Sequence, residues 1–268
     1  MSKLTTLTVN DFKIRKTQKA KISMVTCYDF WSAQILNTSE IDALLVGDSL
    51  AMVMHGFDST VNADLELMAL HIRAVRRGAP NKFIIGDMPF LALRKGLSSA
   101  MDAVQTLVQA GANGVKIEGE VGQADLIRHI VDSGIPVMGH LGLTPQSVNG
   151  LGGHKVQARS SDEEAQLVSS AISLAKAGCF SIVLECVPSK AASIVTRSID
   201  IPTIGIGAGP ETDGQVLVLQ DMLGMNSEFK PRFLRHYGSG HSFVLDAVNR
   251  FHEETLHGCF PSANESYK

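Results

Sequence analysis

The segment Ile41-Asp42-Ala43-Leu44-Leu45-Val46-Gly47-Asp48-Ser49 holds an apolar run, Ala43 to Val46, that stops at a glycine and delivers an acid and a hydroxyl. Runs without polar alternation suit a parallel strand buried on both faces. A carboxylate at the end of such a strand is held by rigid backbone yet can face a cleft. The pattern recurs: Phe83-Ile84-Ile85-Gly86-Asp87, Val115-Lys116-Ile117-Glu118 and Ser181-Ile182-Val183-Leu184-Glu185 each end in an acid. Four acids at four strand ends read as one site assembled by a barrel rather than as solvated surface.

Working outward, strands are predicted over 22–27, 44–47, 83–86, 115–117, 136–139, 181–184, 202–205 and 216–219. Helices are predicted over 10–19, 30–38, 63–77, 98–110, 121–133, 161–177, 188–198 and 242–256. Asn10 or Asp11 is the candidate cap of the first helix, and Ser161 or Asp162 that of the sixth. His140 follows the fifth strand, and a long loop, 141–159, carries Gly142, Gly150, Gly152 and Gly153. Loops of that length are often lids. No linker or composition break divides the chain. The arithmetic suits an α/β fold, a (β/α)8 TIM barrel, whose active sites lie at the C-terminal strand ends. One domain over residues 1–268 is expected, with a short N-terminal helix and a polar C-terminal tail from Gly258. A doubly wound open sheet is the alternative. It needs fewer strands and usually a glycine-rich turn after the first. Gly205-Ile206-Gly207-Ala208-Gly209 lies at the seventh strand instead, and is a weak dinucleotide fingerprint.

Composition narrows the function. The chain of 268 residues is 44% hydrophobic and 19% charged, which fits a sizeable core. A net charge of −3 gives no case for nucleic acid or an anionic membrane. Residues Met1 to Thr6 have no apolar core suited to a signal peptide, and no run approaches a membrane span. Cys27, Cys179, Cys186 and Cys259 are scattered without a CxxC pair. That argues against a zinc cluster or disulfide framework and for free thiols in the cytoplasm. Cys186, beside Glu185, reads better as a small buried residue than as a nucleophile.

Asp48, Asp87 and Glu118 are hard oxygen donors of the kind magnesium prefers. Any one of them alone could as well cap a helix or pair with a cation; three at equivalent strand ends favour a metal. Lys116 and Glu118, two apart on one strand, share a side. Lys116 is then a holder of a substrate carboxylate, or an internal ion pair with Glu118. His140 is a hydrogen-bond donor, a metal ligand or a structural residue. Ser49 offers a hydroxyl and an N–H to an anion, or caps a turn. Glu185 follows a strongly apolar strand, and burial there would disfavour its charge and make it a better base near neutrality. Metal, keto acid and nearby base make the arrangement for enolisation.

The segments VGDS (46–49), AVRRGAP (74–80), GDMPF (86–90), AGANGVKIEG (110–119), GHLGLTPQSVN (139–149), LECVP (184–188), IPTIGIGAG (201–209) and TDGQVLVLQDMLG (212–224) resemble ketopantoate hydroxymethyltransferases, in order and at family-like spacing. The match runs from about Lys21 to Tyr237. The resemblance implies a barrel of the phosphoenolpyruvate/pyruvate-like type and a homo-oligomer, typically a decamer. It implies transfer of a hydroxymethyl group from 5,10-methylenetetrahydrofolate to 3-methyl-2-oxobutanoate, on the way to pantothenate and coenzyme A. Asp48 and Asp87 match the family's magnesium ligands, and Glu118 its further acid at the metal, acting through water. Ser49, Asp48, Asp87 and Lys116 match the keto-acid contacts, His140 the strand-five histidine near the substrate, and Glu185 the proton acceptor. Ala51, Asn62, Ala63, His154 and Ala158 depart from the family pattern in loops, and none is a metal ligand.

Two other readings compete. A magnesium-dependent lyase or mutase of a small 2-oxo acid would use the same strand-end acids. Many such lyases carry a cysteine in a KKCGH-like loop, which this chain lacks. A non-catalytic ligand-binding barrel would not need both a metal set and a separate base.

Overall fold

A computed structural model of the chain describes residues 6–267. Most of the segment read for a signal peptide, residues 1–5, lies outside them. The chain divides after Leu217 into two compact units.

The first unit holds α1 (Val9–Gln18) and eight parallel strands. They are β1 (Ile22–Thr26), β2 (Ala43–Val46), β3 (Phe83–Asp87), β4 (Gly114–Glu118), β5 (Val137–Gly142), β6 (Ser181–Glu185), β7 (Thr203–Ile206) and β8 (Gly214–Leu217). They pair in sequence order, and β8 closes on β1. Connections carry α2 (Phe30–Asn37), α3 (Leu50–Val53), α4 (Leu65–Gly78), α5 (Leu97–Ala110), α6 (Ala124–Asp132), α7 (Ser161–Lys176) and α8 (Ser189–Ser198). A loop alone joins β7 to β8. The second unit carries α9 (Leu219–Met222) and α10 (Gly240–Leu256). No residue of α10 is buried, and Phe243, Val248 and Phe251 stand exposed on it. Among the described residues no helix is long and apolar enough to cross a membrane.

All eight expected strands form. The caps differ. Thr8, not Asn10 or Asp11, caps α1; Asp11 lies a turn in and accepts the Thr8 N–H at 2.7 Å. Ser160, not Ser161 or Asp162, caps α7, and Glu163 accepts its N–H at 3.0 Å. In both, the acid three residues on reaches back to the cap, which fixes the first turn one to three residues earlier than expected.

The barrel interior explains where chemistry can sit. Alternate residues of a strand face one side. Ile22, Met24, Ala43, Leu45, Phe83, Ile85, Met138, Val183, Ile204 and Val216 form one buried apolar cluster. Phe12 of α1 belongs to it and packs edge-on against Phe180 at 5.2 Å, closing the lower end. Continuing the same alternation upward replaces apolar residues by polar ones: Phe83, Ile85, then Asp87; Met138, then His140; Val183, then Glu185. Outward faces admit helices closely. A Cβ on Gly86 would lie 2.6 Å from Ile72 of α4. Gly142 ends β5 at φ +91°, and a Cβ there would lie 2.2 Å from the Glu185 carbonyl oxygen. Glycine alone lets the chain turn there, and the next N–H, of Leu143, donates to that carbonyl at 2.9 Å.

Candidate active site

Strand register stacks the polar residues side by side at the C-terminal end. Asp87 is opposite Lys116, Glu118 is opposite His140, and Gly142 is opposite Glu185. His140 therefore lies inside β5 rather than after it, because β5 runs on to Gly142 between two paired neighbours. Asp48 follows β2, and its N–H donates to Asp87 Oδ2 at 3.0 Å. Lys116 Nζ lies 3.0 Å from Asp87 Oδ1, 4.0 Å from Glu118 Oε1 and 3.2 Å from His140 Nδ1. The imidazole sits between two acids, with Nδ1 3.3 Å from Glu118 Oε1 and Nε2 3.2 Å from Glu185 Oε2. Six of the seven candidate residues thus form one connected chain of contacts. Ser49, the seventh, starts α3, and its hydroxyl lies 2.7 Å from the Tyr28 hydroxyl.

Burial sets the charges. Asp48, Asp87, Lys116 and His140 are each 5% exposed or less. Burial, then Asp87 and Glu118 beside it, hold the Asp48 carboxyl well above the usual carboxylate range, against Lys116 and Gln146. Burial also raises Asp87, opposed by Lys116. Burial would raise Glu118 as well, but His140, Lys116 and the Gln146 N–H outweigh it and bring it below its ordinary value. Lys116 goes the other way. Burial disfavours its charge, yet Asp87, Glu118 and Asp48 raise it, so the ammonium is kept. Burial and Lys116 oppose protonation of His140, but Glu118 and Glu185 prevail and push it up to about 9. Lys116 and His140 thus lie 3.2 Å apart among the acids, a basic pair that an anionic ligand would meet.

One expectation is overturned. Glu185 is less buried than the apolar strand before it implied. Its side chain is 20% exposed against 6% for Glu118, because as the last residue of β6 it sits at the mouth. The apolar strand below it does not extend its environment to the carboxylate. Cys186 is half-buried at φ +47°, and burial, then Glu185, push its thiol up to about 11, which leaves it a poor nucleophile.

Two residues escaped the sequence reading. Gln146, in the loop after β5, donates its side-chain amide to Asp48 Oδ2 at 2.8 Å and to the Met88 carbonyl at 2.9 Å. Its backbone N–H donates to Glu118 Oε2 at 3.0 Å. Tyr28, fully buried, holds Ser49. The length of the loop was the signal for Gln146; nothing marked Tyr28.

Among the described residues no three His, Cys, Asp or Glu side chains converge as a ready metal-binding group. Asp48, Asp87 and Glu118 nevertheless fit magnesium in donor type. Asp87 Oδ1 and Glu118 Oε1 are buried without an aligned hydrogen-bond donor, and four acids surround two cations. A hard divalent cation would balance that excess.

A closed parallel barrel with acids at the C-terminal strand ends defines an α/β-barrel enzyme, and solved structures of that kind superpose on it. Phosphonopyruvate hydrolase in complex with oxalate and Mg2+ matches with a TM-score of 0.61 at 11% identity, covering 97% of this chain and 93% of that one. A 2,3-dimethylmalate lyase of the PEP mutase/isocitrate lyase superfamily matches with a TM-score of 0.59 at 14% identity, covering 97% and 91%. At such identities the likeness is one of fold. Sequence goes further. The family model for ketopantoate hydroxymethyltransferase matches residues 6–263. The 3-methyl-2-oxobutanoate hydroxymethyltransferase of Bdellovibrio bacteriovorus is 55% identical over 260 residues, 97% of this chain and 99% of the relative. That of Coxiella burnetii (strain Dugway 5J108-111) is 54% identical over 252 residues, 94% of this chain and 95% of the relative. The chain belongs to the ketopantoate hydroxymethyltransferase family.

Proposed function

We propose that this enzyme moves a hydroxymethyl group from 5,10-methylenetetrahydrofolate to 3-methyl-2-oxobutanoate, giving 2-dehydropantoate and tetrahydrofolate in pantothenate and coenzyme A biosynthesis. The observation that carries the reading is the contact chain Asp48–Asp87–Lys116–His140–Glu185, which sets an anion site beside a carboxylate base. The family match supports the substrates.

Asp48 and Asp87, with Glu118 beside them, would hold Mg2+. When bound, the ion acts as a Lewis acid on the keto acid. The side chains do the rest. Lys116, as a cation, faces the substrate carboxylate with His140 beside it, and Ser49, fixed by Tyr28, adds a hydroxyl. Glu185, at the mouth and only partly covered, takes the proton from C3. His140 Nε2, 3.2 Å from Glu185 Oε2, stands beside the carboxylate that takes the proton. The C3 carbanion equivalent then takes the one-carbon unit. Overall, the keto acid loses one C–H, water supplies the hydroxyl, and the folate leaves as tetrahydrofolate with no net redox change. The enzyme works in the cytoplasm on these small molecules as a homo-oligomer, and its exposed apolar residues Phe243, Val248 and Phe251 suit subunit contacts.

The test is consumption of methylenetetrahydrofolate. It should require the branched keto acid, stop with a chelator and resume with Mg2+, and Asp87→Asn should weaken metal-dependent binding of the keto acid. Consumption indifferent to chelator and to Asp87→Asn removes the metal assignment. No consumption with both substrates and Mg2+ present removes the whole reading.

A further inference from the structure

A pair of ligand-type side chains lies apart from the acids at the barrel mouth. His55 sits in the segment after α3, and His71 in the second turn of α4. Their Nε2 atoms are 2.9 Å apart, and the rings stand edge to face with centroids 5.1 Å apart. Both residues are held from behind. His71 Nδ1 donates to the Tyr28 carbonyl, because a carbonyl oxygen can only accept. In the neutral ring the proton is therefore on Nδ1, and Nε2 presents its lone pair toward His55. His55 is exposed, but its backbone is fixed. Gly56 turns the chain at φ +70°, and the N–H groups of Gly56 and Phe57 donate to the Met52 and Ala51 carbonyls at 3.2 and 3.0 Å. The Phe57 ring lies beside His55, its centroid 6.4 Å away.

Two imidazoles aimed at one point suit a different ion from the carboxylates of the barrel mouth. Magnesium prefers oxygen, whereas neutral imidazole suits Zn2+, Ni2+ and Cu2+. A metal-binding histidine almost always donates its other ring N–H to a carboxylate, carbonyl or water, which fixes its tautomer and orientation. His71 already has that arrangement with Tyr28. The spacing fits as well. With metal–nitrogen bonds of about 2.0–2.1 Å, a tetrahedral ion holds two imidazole centroids about 5 Å apart. These rings are 5.1 Å apart, so an ion enters by tilting them rather than by moving the backbone. We infer that His55 and His71 form a second metal site, for Zn2+ or a similar late divalent transition ion, bound through both Nε2 atoms with waters completing its shell. On binding, His55 carries its proton on Nδ1, and the hydrogen bond between the rings gives way to two metal–nitrogen bonds. A neutral pair releases no net proton. Two protein ligands make the ion exchangeable rather than structural. One residue joins this site to the keto-acid contacts: Tyr28, whose carbonyl orients His71, holds Ser49 through its hydroxyl at 2.7 Å.

The test is a calorimetric titration of the full chain with Zn2+ near neutral pH, with Mg2+ in excess. It compares the parent, His55→Gln, His71→Gln and the double variant. His55 is exposed and takes no part in the proposed reaction, so His55→Gln should keep the fold and the parent turnover. Each single variant should lose the same binding event, with affinity falling at least about tenfold, the scale already set by losing a partner behind a metal ligand. The double variant should lose no more than either single one. Zn2+ bound elsewhere, at the exposed thiol of Cys259 for example, should be equal in all four. His71→Gln also removes the bond to Tyr28, so its melting temperature is measured alongside; if it does not fold, His55→Gln decides alone. A parent-like titration of His55→Gln overturns the site. So do losses that add in the double variant, one per histidine, because they would mark adventitious binding at separate side chains.

Discussion

Glu185→Gln should lower turnover by about 10²-fold or more, the usual scale for loss of a general base, while thermal stability stays close to that of the parent. The amide keeps the shape of the side chain and can still meet His140 Nε2, now 3.2 Å from Glu185 Oε2. What it lacks is a site for the C3 proton. Glu185 is 20% exposed at the end of β6, so exchanging a charge for an amide there disturbs little packing. KM for the keto acid should change less than kcat, because Lys116 and the metal-side acids remain. A well-folded Glu185→Gln enzyme with parent turnover would remove Glu185 from the mechanism. Loss of activity with a large fall in melting temperature would reduce it to a structural residue.

Lys116→Met is expected to damage both stability and binding. Its ammonium is the buried cation between Asp87, 3.0 Å away, and Glu118, 4.0 Å away. Removing one partner of a buried ion pair leaves an uncompensated charge and costs about 3–5 kcal/mol. In a domain of this size that lowers the melting temperature by roughly 6–20 °C. Methionine fits the volume, so the loss reads charge rather than a cavity. The keto acid should bind at least tenfold more weakly, since the ammonium facing its carboxylate is gone. Thermal melts and keto-acid titrations at matched Mg2+ check both. A variant that melts and binds like the parent would mean that Asp48, Asp87 and Glu118 are balanced by something other than Lys116.

The barrel was legible because apolar runs such as Phe83 to Ile85 end in acids, and because a buried parallel strand leaves that signature. Strand ends were less so. Gly139 read as the end of the fifth strand, yet β5 runs through it because β4 and β6 pair with it on both sides. The short α3 lay hidden in a stretch read as loop. Six of the candidate residues proved to be linked in one chain of contacts, Asp48 through its backbone N–H, because a residue at a strand end is placed by the barrel's topology. Gln146 was not legible: an amide in a long loop carries no sign of what it will meet. Its role appears only when the loop folds back over Asp48 and Glu118. The environment of Glu185 was misjudged for a related reason. Hydrophobicity along a strand reports its flanks, not the solvent at its last residue.

The central claim is that this barrel end forms an enolate from the keto acid before the one-carbon unit is involved. Proton exchange in heavy water tests it most directly. The enzyme with Mg2+ and 3-methyl-2-oxobutanoate, and no folate, should replace the C3 proton by deuterium, seen as loss of the C3 proton signal and collapse of the methyl doublet by NMR. Retention of the C3 proton over many turnover times, in an enzyme that makes product once folate is added, would contradict the account.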